Sequence, residues 1–245
     1  MAELRFSRVI CDSRFRTSGS SSNFTYDLKE TLDLPPGTHC VVCDVLIPHS
    51  WYTIEAGVND KVLYQVGSTN YTATIAEGSY NASELGAALL ASMNSVAGPP
   101  AHTFSQTYSA SKNELTFIIS PSTNWNFVRN GPTNADEVVG VDEVNSQPSS
   151  VQFTYPDVRN VHQVLIEADL GQVEVLTPRG AAPVVKRVPI TTLHGAVQHY
   201  EGYHAADRIR VGGQLISRLN VRLTTVDGRE LNLHGANVSF SILFE

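Results

Sequence analysis

Apolar and polar residues alternate with period two through much of this chain of 245 residues. In an extended strand such alternation puts one face on a core and the other in water. The clearest case lies late in the sequence. Leu215, Leu219, Val221 and Leu223 hold odd positions, and Arg218, Asn220, Arg222 and Thr224 hold even ones. Asp227-Gly228 follows, a pair that favours hairpin-type turns. A second run then sets Val238, Phe240, Ile242 and Phe244 against Ser239, Ser241 and Leu243. It ends at Glu245, so this last strand is expected to be stitched into a sheet. The same reasoning predicts strands over 4–11, 23–28, 39–47, 61–66, 71–75, 103–108, 114–120, 151–155, 162–168 and 184–190. Gly, Pro, Asn and Ser fill the gaps between them, as turns require. Many short strands punctuated in this way predict a sandwich or barrel.

One stretch changes period. From 82 to 94, Leu85, Ala88, Leu89 and Met93 form a single helical stripe. Asn81 can cap it, with Glu84 three residues later completing a capping box. Gly98-Pro99-Pro100 ends it. This helix is expected to lie as a lid on the sandwich, and a second short turn is expected near 135–139. The fold class read from these patterns is all-β: a jelly-roll β-sandwich with one inserted α-helix, forming one domain over 1–245. The alternative is two tandem small β-sandwich modules divided at 144–150, where Asn145, Ser146, Pro148 and Ser149 cluster. A long loop inside one jelly roll is favoured, because Greek-key connections accept such insertions readily.

Composition narrows the function. Hydrophobic residues make up 42% and charged residues 17%, and the net charge is −7. The charged share is below the ordinary ~25%, which suits a surface that packs against neighbours. No run of Lys or Arg exists, so the electrostatic footprint of a nucleic-acid or anionic-membrane partner is missing. No apolar stretch approaches the ~20 residues of a membrane span, and no secretory signal pattern opens the sequence. Three cysteines, Cys11, Cys40 and Cys43, make neither a disulfide framework nor a zinc set, and fit a reducing compartment.

Candidate chemistry is sparse. There is no Gly-x-Ser-x-Gly elbow, phosphate loop or His-Glu-x-x-His. Cys40 and Cys43 would point to opposite faces of a strand, so they read as small core residues. His199-Tyr200-Glu201 has the His-x-carboxylate spacing of iron(II) oxygenases, with His234 as a third ligand and His194 and His204 near in sequence. However, 191–208 reads as a loop, and metal, cofactor and catalytic residues are all expected to be absent. Trp51 and Tyr52, and Trp125 with Phe127, are core residues, interface anchors or a sugar platform. The best interface candidate is the polar-aromatic stretch 195–203, with Gly195, His199, Tyr200 and Tyr203, joined by Trp51 and Tyr52.

Three stretches carry a family resemblance. They are Leu34-Pro35-Pro36-Gly37-Thr38 with the apolar strand running to Pro48-His49-Ser50-Trp51-Tyr52; Ile75-Ala76-Glu77-Gly78-Ser79-Tyr80 before the helix; and the ending from Asp227-Gly228-Arg229-Glu230 to Asn237-Val238-Ser239-Phe240. In this order they resemble the penton (minor capsid) proteins of Polinton-like and adintovirus-like double-stranded DNA viruses. The resemblance runs over 22–244 and is weakest over 98–151. It implies a structural, non-enzymatic vertex subunit. Such a subunit would form a homopentamer beside a major capsid protein in the virion capsid, with assembly in the host cytoplasm or nucleus. It implies no direct nucleic-acid contact and no membrane insertion. Arg179-Gly180-Ala181 lacks the aspartate of an Arg-Gly-Asp receptor loop, so that activity does not follow. A lectin-like sandwich or spike module and the iron oxygenase stand as the alternatives.

Overall fold

The computed structural model describes residues 7–96, 102–129, 134–141, 150–171, 175–203 and 207–245, with only the backbone over 152–154. The chain divides into two compact units, 1–51 with 161–245, and 52–160 nested between them in sequence. Except for Ser150, the candidate boundary at 144–150 lies outside the described residues; the division falls at 51/52 and 160/161.

The first unit begins with β1 (Arg8–Asp12), β2 (Ser18–Gly19), β3 (Asn23–Leu34) and β4 (His39–Pro48). The second holds β5 (Lys61–Val66), β6 (Thr69–Thr74), α1 (Ala82–Val96), β7 (Thr103–Ser109), β8 (Glu114–Ser120), β9 (Trp125–Val128), α2 (Asp136–Val139) and β10 (Ser150–Thr154). The chain then returns to the first unit with β11 (Gln163–Ala168), β12 (Val175–Thr177), β13 (Gly180–Ala182), β14 (Val184–Pro189), β15 (Val197–Tyr200), β16 (Ile209–Arg210), β17 (Gln214–Thr224) and β18 (Ser239–Phe244).

In the first unit one sheet runs β1-β18-β4-β15, with β16 also on β4, and the other runs β14-β11-β17-β3-β2. Successive main strands switch sheets (β1, β3, β4, β11), turn once within a sheet (β11 to β14), and switch again (β15, β17, β18). That order is the double Greek key of a jelly roll, with the second unit inserted after its third main strand. The inner faces share one core, in which Val238, Phe240, Ile242 and Phe244 of the final run are all buried.

Leu215 departs from its expected place: it is 72% exposed, while Ile216 is buried. Between the pairs Ile216↔Leu32 and Arg218↔Asp27 the β17–β3 register slips, and the inward phase of β17 changes from even to odd positions. Such irregularities reverse faces because the strand period is two.

The second unit has its own core, between the sheets β10-β8-β7 and β6-β5-β9. The α1 cap forms as expected: Glu84 N–H donates to Asn81 Oδ1 (3.0 Å) and Asn81 N–H to Glu84 Oε2 (2.9 Å). Leu85, Leu89 and Met93 are buried. The helix also blocks two strand edges. Asn94 accepts from Phe104 N–H (2.8 Å) and donates to its carbonyl (3.1 Å) on β7. Ser92 Oγ accepts from Thr74 N–H (2.8 Å) on β6. Side chains thus take backbone groups that an open edge would offer to another chain. Asn94→Ala leaves both Phe104 groups without this partner and is expected to cost about 1–2 kcal/mol, measured by chemical denaturation. Ten acidic residues stand against four basic ones in this unit, so it carries −6 of the net −7.

Candidate interaction surface

β4 is the backbone of the candidate surface, and its middle is bulged. Asp44 has φ 48° and sits where the register to β18 slips between Ser241↔Cys43 and Ser239↔Leu46. Cys40 and Val42 face the core before the bulge, and Val45 and Ile47 face it afterwards. Cys40 is therefore a core residue, while Cys43 is buried outside that core cluster. Burial pushes the Cys40 thiol up to about 12 and also raises Cys43. Both thiols stay protonated at neutral pH, which opposes metal binding and nucleophilic reactivity.

The segment 191–208 is not all loop. Its residues Val197–Tyr200 form β15, paired with β4 through Val197↔Pro48 and His199↔Leu46. A polar residue at an inward position disguised the alternation. Gln198 is buried; its Oε1 accepts from Thr191 N–H (2.9 Å) and its Nε2 donates to the His199 carbonyl (3.1 Å). Tyr200 packs against the core. Beyond it, Lys186 of β14 reaches across as an anchor. Its ammonium donates to the Gly202 carbonyl (2.7 Å) and Asp207 Oδ2 (2.6 Å), and lies 5.2 Å from the Tyr200 ring centre. Tyr203 O–H donates to Glu245 Oε1 (2.8 Å), which Arg208 also meets at 2.9 Å. The bond to Glu245, with lesser desolvation, raises the Tyr203 phenol pKa.

These contacts sort the candidate residues. Leu46 (42% exposed), Val197 (54%) and the exposed His199 lie together on the outer face of the β4–β15 pair, with Leu193 and Gly195 exposed in the preceding turn. Tyr200, Gly202 and Tyr203 are held by contacts within the unit. Trp51 is 1% exposed and its ring stacks on His49 at 4.1 Å, so it is a core residue. Tyr52 is half-buried and opens the second unit. Trp125 and Phe127 are buried in the second core, so neither aromatic pair offers an open sugar platform.

Of the candidate iron ligands, His199 and Glu201 meet each other, and His234 is bonded to other groups. His199 Nε2 lies 3.4 Å from Glu201 Oε1 on the exposed surface. His234 Nδ1 donates to the Ser50 carbonyl (2.8 Å), and its Nε2 is positioned to accept from Asn232 Nδ2 (3.2 Å). His194 meets His49 edge-on at 6.1 Å, and His204 lies outside the described residues. Among the described residues, no group of three or more His, Cys, Asp or Glu could hold a metal ion.

At each outer edge of this sheet a side chain takes one backbone carbonyl. At β1 the Ile10 carbonyl accepts from Tyr26 O–H (3.3 Å), and at β15 the His199 carbonyl is taken by Gln198. The exposed side chains at these edges are Arg8 and Ile10 (63% exposed) at β1, and Val197 and His199 at β15.

In sequence the chain matches no protein-family model and no curated protein. In three dimensions it is similar to the mavirus penton protein, known from a crystal structure of its selenomethionine-labelled form. The TM-score is 0.57 and the identity 10%, and the match covers 98% of this chain and 99% of that one. The two chains share a fold over nearly their whole lengths.

Proposed function

We propose that this chain is a vertex (penton) subunit of the capsid of a Polinton-like or adintovirus-like double-stranded DNA virus, and that it acts as a structural protein. The observation that supports this best is the end-to-end likeness of fold to a viral penton protein. Five copies close a ring at a fivefold vertex and are flanked by the major capsid protein. A ring needs two different surfaces on each subunit, joined head to tail, and closure leaves neither free. The β1 and β15 edges suit this role. The capped carbonyl at each edge opposes strand addition at that point, while the exposed Ile10 and Val197 side chains can pack against a neighbour.

Val197→Asp places a charge on this outer face without touching the core. It is expected to cost the subunit about 1 kcal/mol of stability, the span of strand propensity, and to abolish ring formation. Deleting 195–203 is a poorer test, because it removes β15 and the Tyr200 and Gly202 contacts with Lys186 and is expected to unfold the jelly roll. Light scattering from purified protein tests the stoichiometry. A particle of five 26.7 kDa chains supports the proposal, and a stable closed trimer or dimer contradicts it.

A further inference from the structure

Each flank of the jelly roll carries a crossover between its two sheets. On one flank the 3-10 turn Ser13–Phe15 lies between β1 and β2, which are edge strands of the two sheets. On the other flank residues 190–196 lead from β14 to β15, again edge strands of the two sheets. Each crossover holds out one large apolar side chain: Phe15 and Leu193 are both 69% exposed.

Neither side chain stands on a slack loop. Beside Phe15, Ser13 is fully buried; its N–H donates to the Val238 carbonyl (2.9 Å) and its hydroxyl to Asn237 Oδ1 (3.1 Å). Asp12 Oδ1 accepts from Arg14 N–H (2.9 Å), and Arg16 Nη1 donates to the Ser13 carbonyl (2.8 Å). The turn around Leu193 is pinned to His49. Gly195 N–H donates to the His49 carbonyl (2.8 Å), and His49 N–H to the Ala196 carbonyl (2.8 Å). The His49 Nδ1 donates to the Thr192 carbonyl (2.9 Å). Side chains on a fixed frame lose less freedom when a partner covers them, and rigid aromatic side chains are common anchors of interfaces.

Strand register puts both residues at the same end of one sheet. Asp12 pairs with Ser239, Ser239 with Leu46, and Leu46 with His199, so Asp12 and His199 share a rung. Each of these pairings is antiparallel, so β1 and β15 run in opposite directions. Phe15 lies three residues beyond Asp12 and Leu193 six before His199, and both therefore pass the same end of the sheet. Towards its other end, Arg8 on β1 and Glu201 just past β15 carry opposite charges.

We infer, resting on the ring proposed above, that Phe15 of one copy packs against Leu193 and Val197 of the next copy. A head-to-tail ring joins one flank of a subunit to the opposite flank of its neighbour. These two flanks match in height, in exposed apolar side chains and in charge, so the partner is a second copy of this chain.

Phe15→Asp and Leu193→Asp are each expected to keep the wild-type melting temperature, because both side chains are exposed. Each is expected to raise the protein concentration at which rings form, read by light scattering, by at least about tenfold. Cross-linking tests the placement. Along β1-β18-β4-β15 the two edges are three strand spacings apart, about 14 Å, too far for a disulfide within one chain. Phe15→Cys combined with Leu193→Cys, oxidised at a concentration where rings form, is expected to give a ladder reaching five chains on a non-reducing gel. Either single variant is expected to give no species beyond two chains. If Phe15→Asp or Leu193→Asp lowers the melting temperature, the ladder decides alone. A wild type that forms no ring defeats the vertex reading, and this inference with it. Where the wild type does form rings, their persistence at the same concentration in Phe15→Asp or Leu193→Asp overturns the inference alone. So does a double variant that forms rings without the ladder.

Discussion

Trp51→Ala is expected to destabilise the jelly roll by about 3–5 kcal/mol, the cost of emptying a large buried aromatic site. The side chain is 1% exposed and its ring lies 4.1 Å from that of His49, so almost all its surface is in contact. The neighbouring Ser50 ties two further segments to this point. Its Oγ donates to the Leu233 carbonyl (2.7 Å), and its own carbonyl accepts from His234. Among the described residues Trp51 Nε1 has no hydrogen-bond partner, so Trp51→Phe loses volume but also removes an orphaned donor. Its cost is expected to be well below that of Trp51→Ala. Trp51 and Trp125 are the two tryptophans, one in each unit. In Trp51→Phe, fluorescence during denaturation therefore follows the inserted unit alone, while circular dichroism follows both. An interface role for Trp51 requires the opposite pattern: Trp51→Ala would remain as stable as the wild type and fail only in assembly.

Asp207→Ala is expected to cost about 2–4 kcal/mol, with the melting temperature falling by about 2–4 °C for each kcal/mol. The reason is the asymmetry of the pair. The Lys186 side chain is 1% exposed and Asp207 33%. Removing the carboxylate leaves a buried ammonium with the Gly202 carbonyl and the Tyr200 ring as its partners among the described residues. Lys186→Met removes the charge and keeps the apolar stem, and is expected to be milder than Asp207→Ala, because a well-packed apolar replacement avoids an unpaired buried charge. Thermal melts of the two variants decide this. If Lys186→Met proves the worse of the two, the ion pair itself contributes more than its desolvation costs.

The alternation of apolar positions carried much of the fold. The strands 61–66 and 114–120 coincide with β5 and β8, and the Asn81–Glu84 cap and its apolar stripe mark α1. Failures came where an irregularity shifts the strand phase or where a polar residue faces inward. The β17–β3 slip turned Leu215 outward. Buried Gln198 hid β15, and with it the surface on which Val197 and His199 sit. Lys186 shares the inward parity of Val188 and Ile190, so its burial was readable in principle. Its partners, Asp207 and Gly202, were not, because pairs distant in sequence leave no local pattern. Trp51 shows the converse limit. An aromatic beside Pro48-His49-Ser50 reads alike as a core residue or as an anchor, and only its burial separates the two.

The most direct test of the central claim is cryo-electron microscopy of particles assembled from this chain and the major capsid protein of the same virus. The proposal requires density for five copies of this jelly roll at each fivefold vertex, with β1 of one copy facing β15 of the next. Particles whose vertices close without this chain, or that place it away from the fivefold axes, would contradict it.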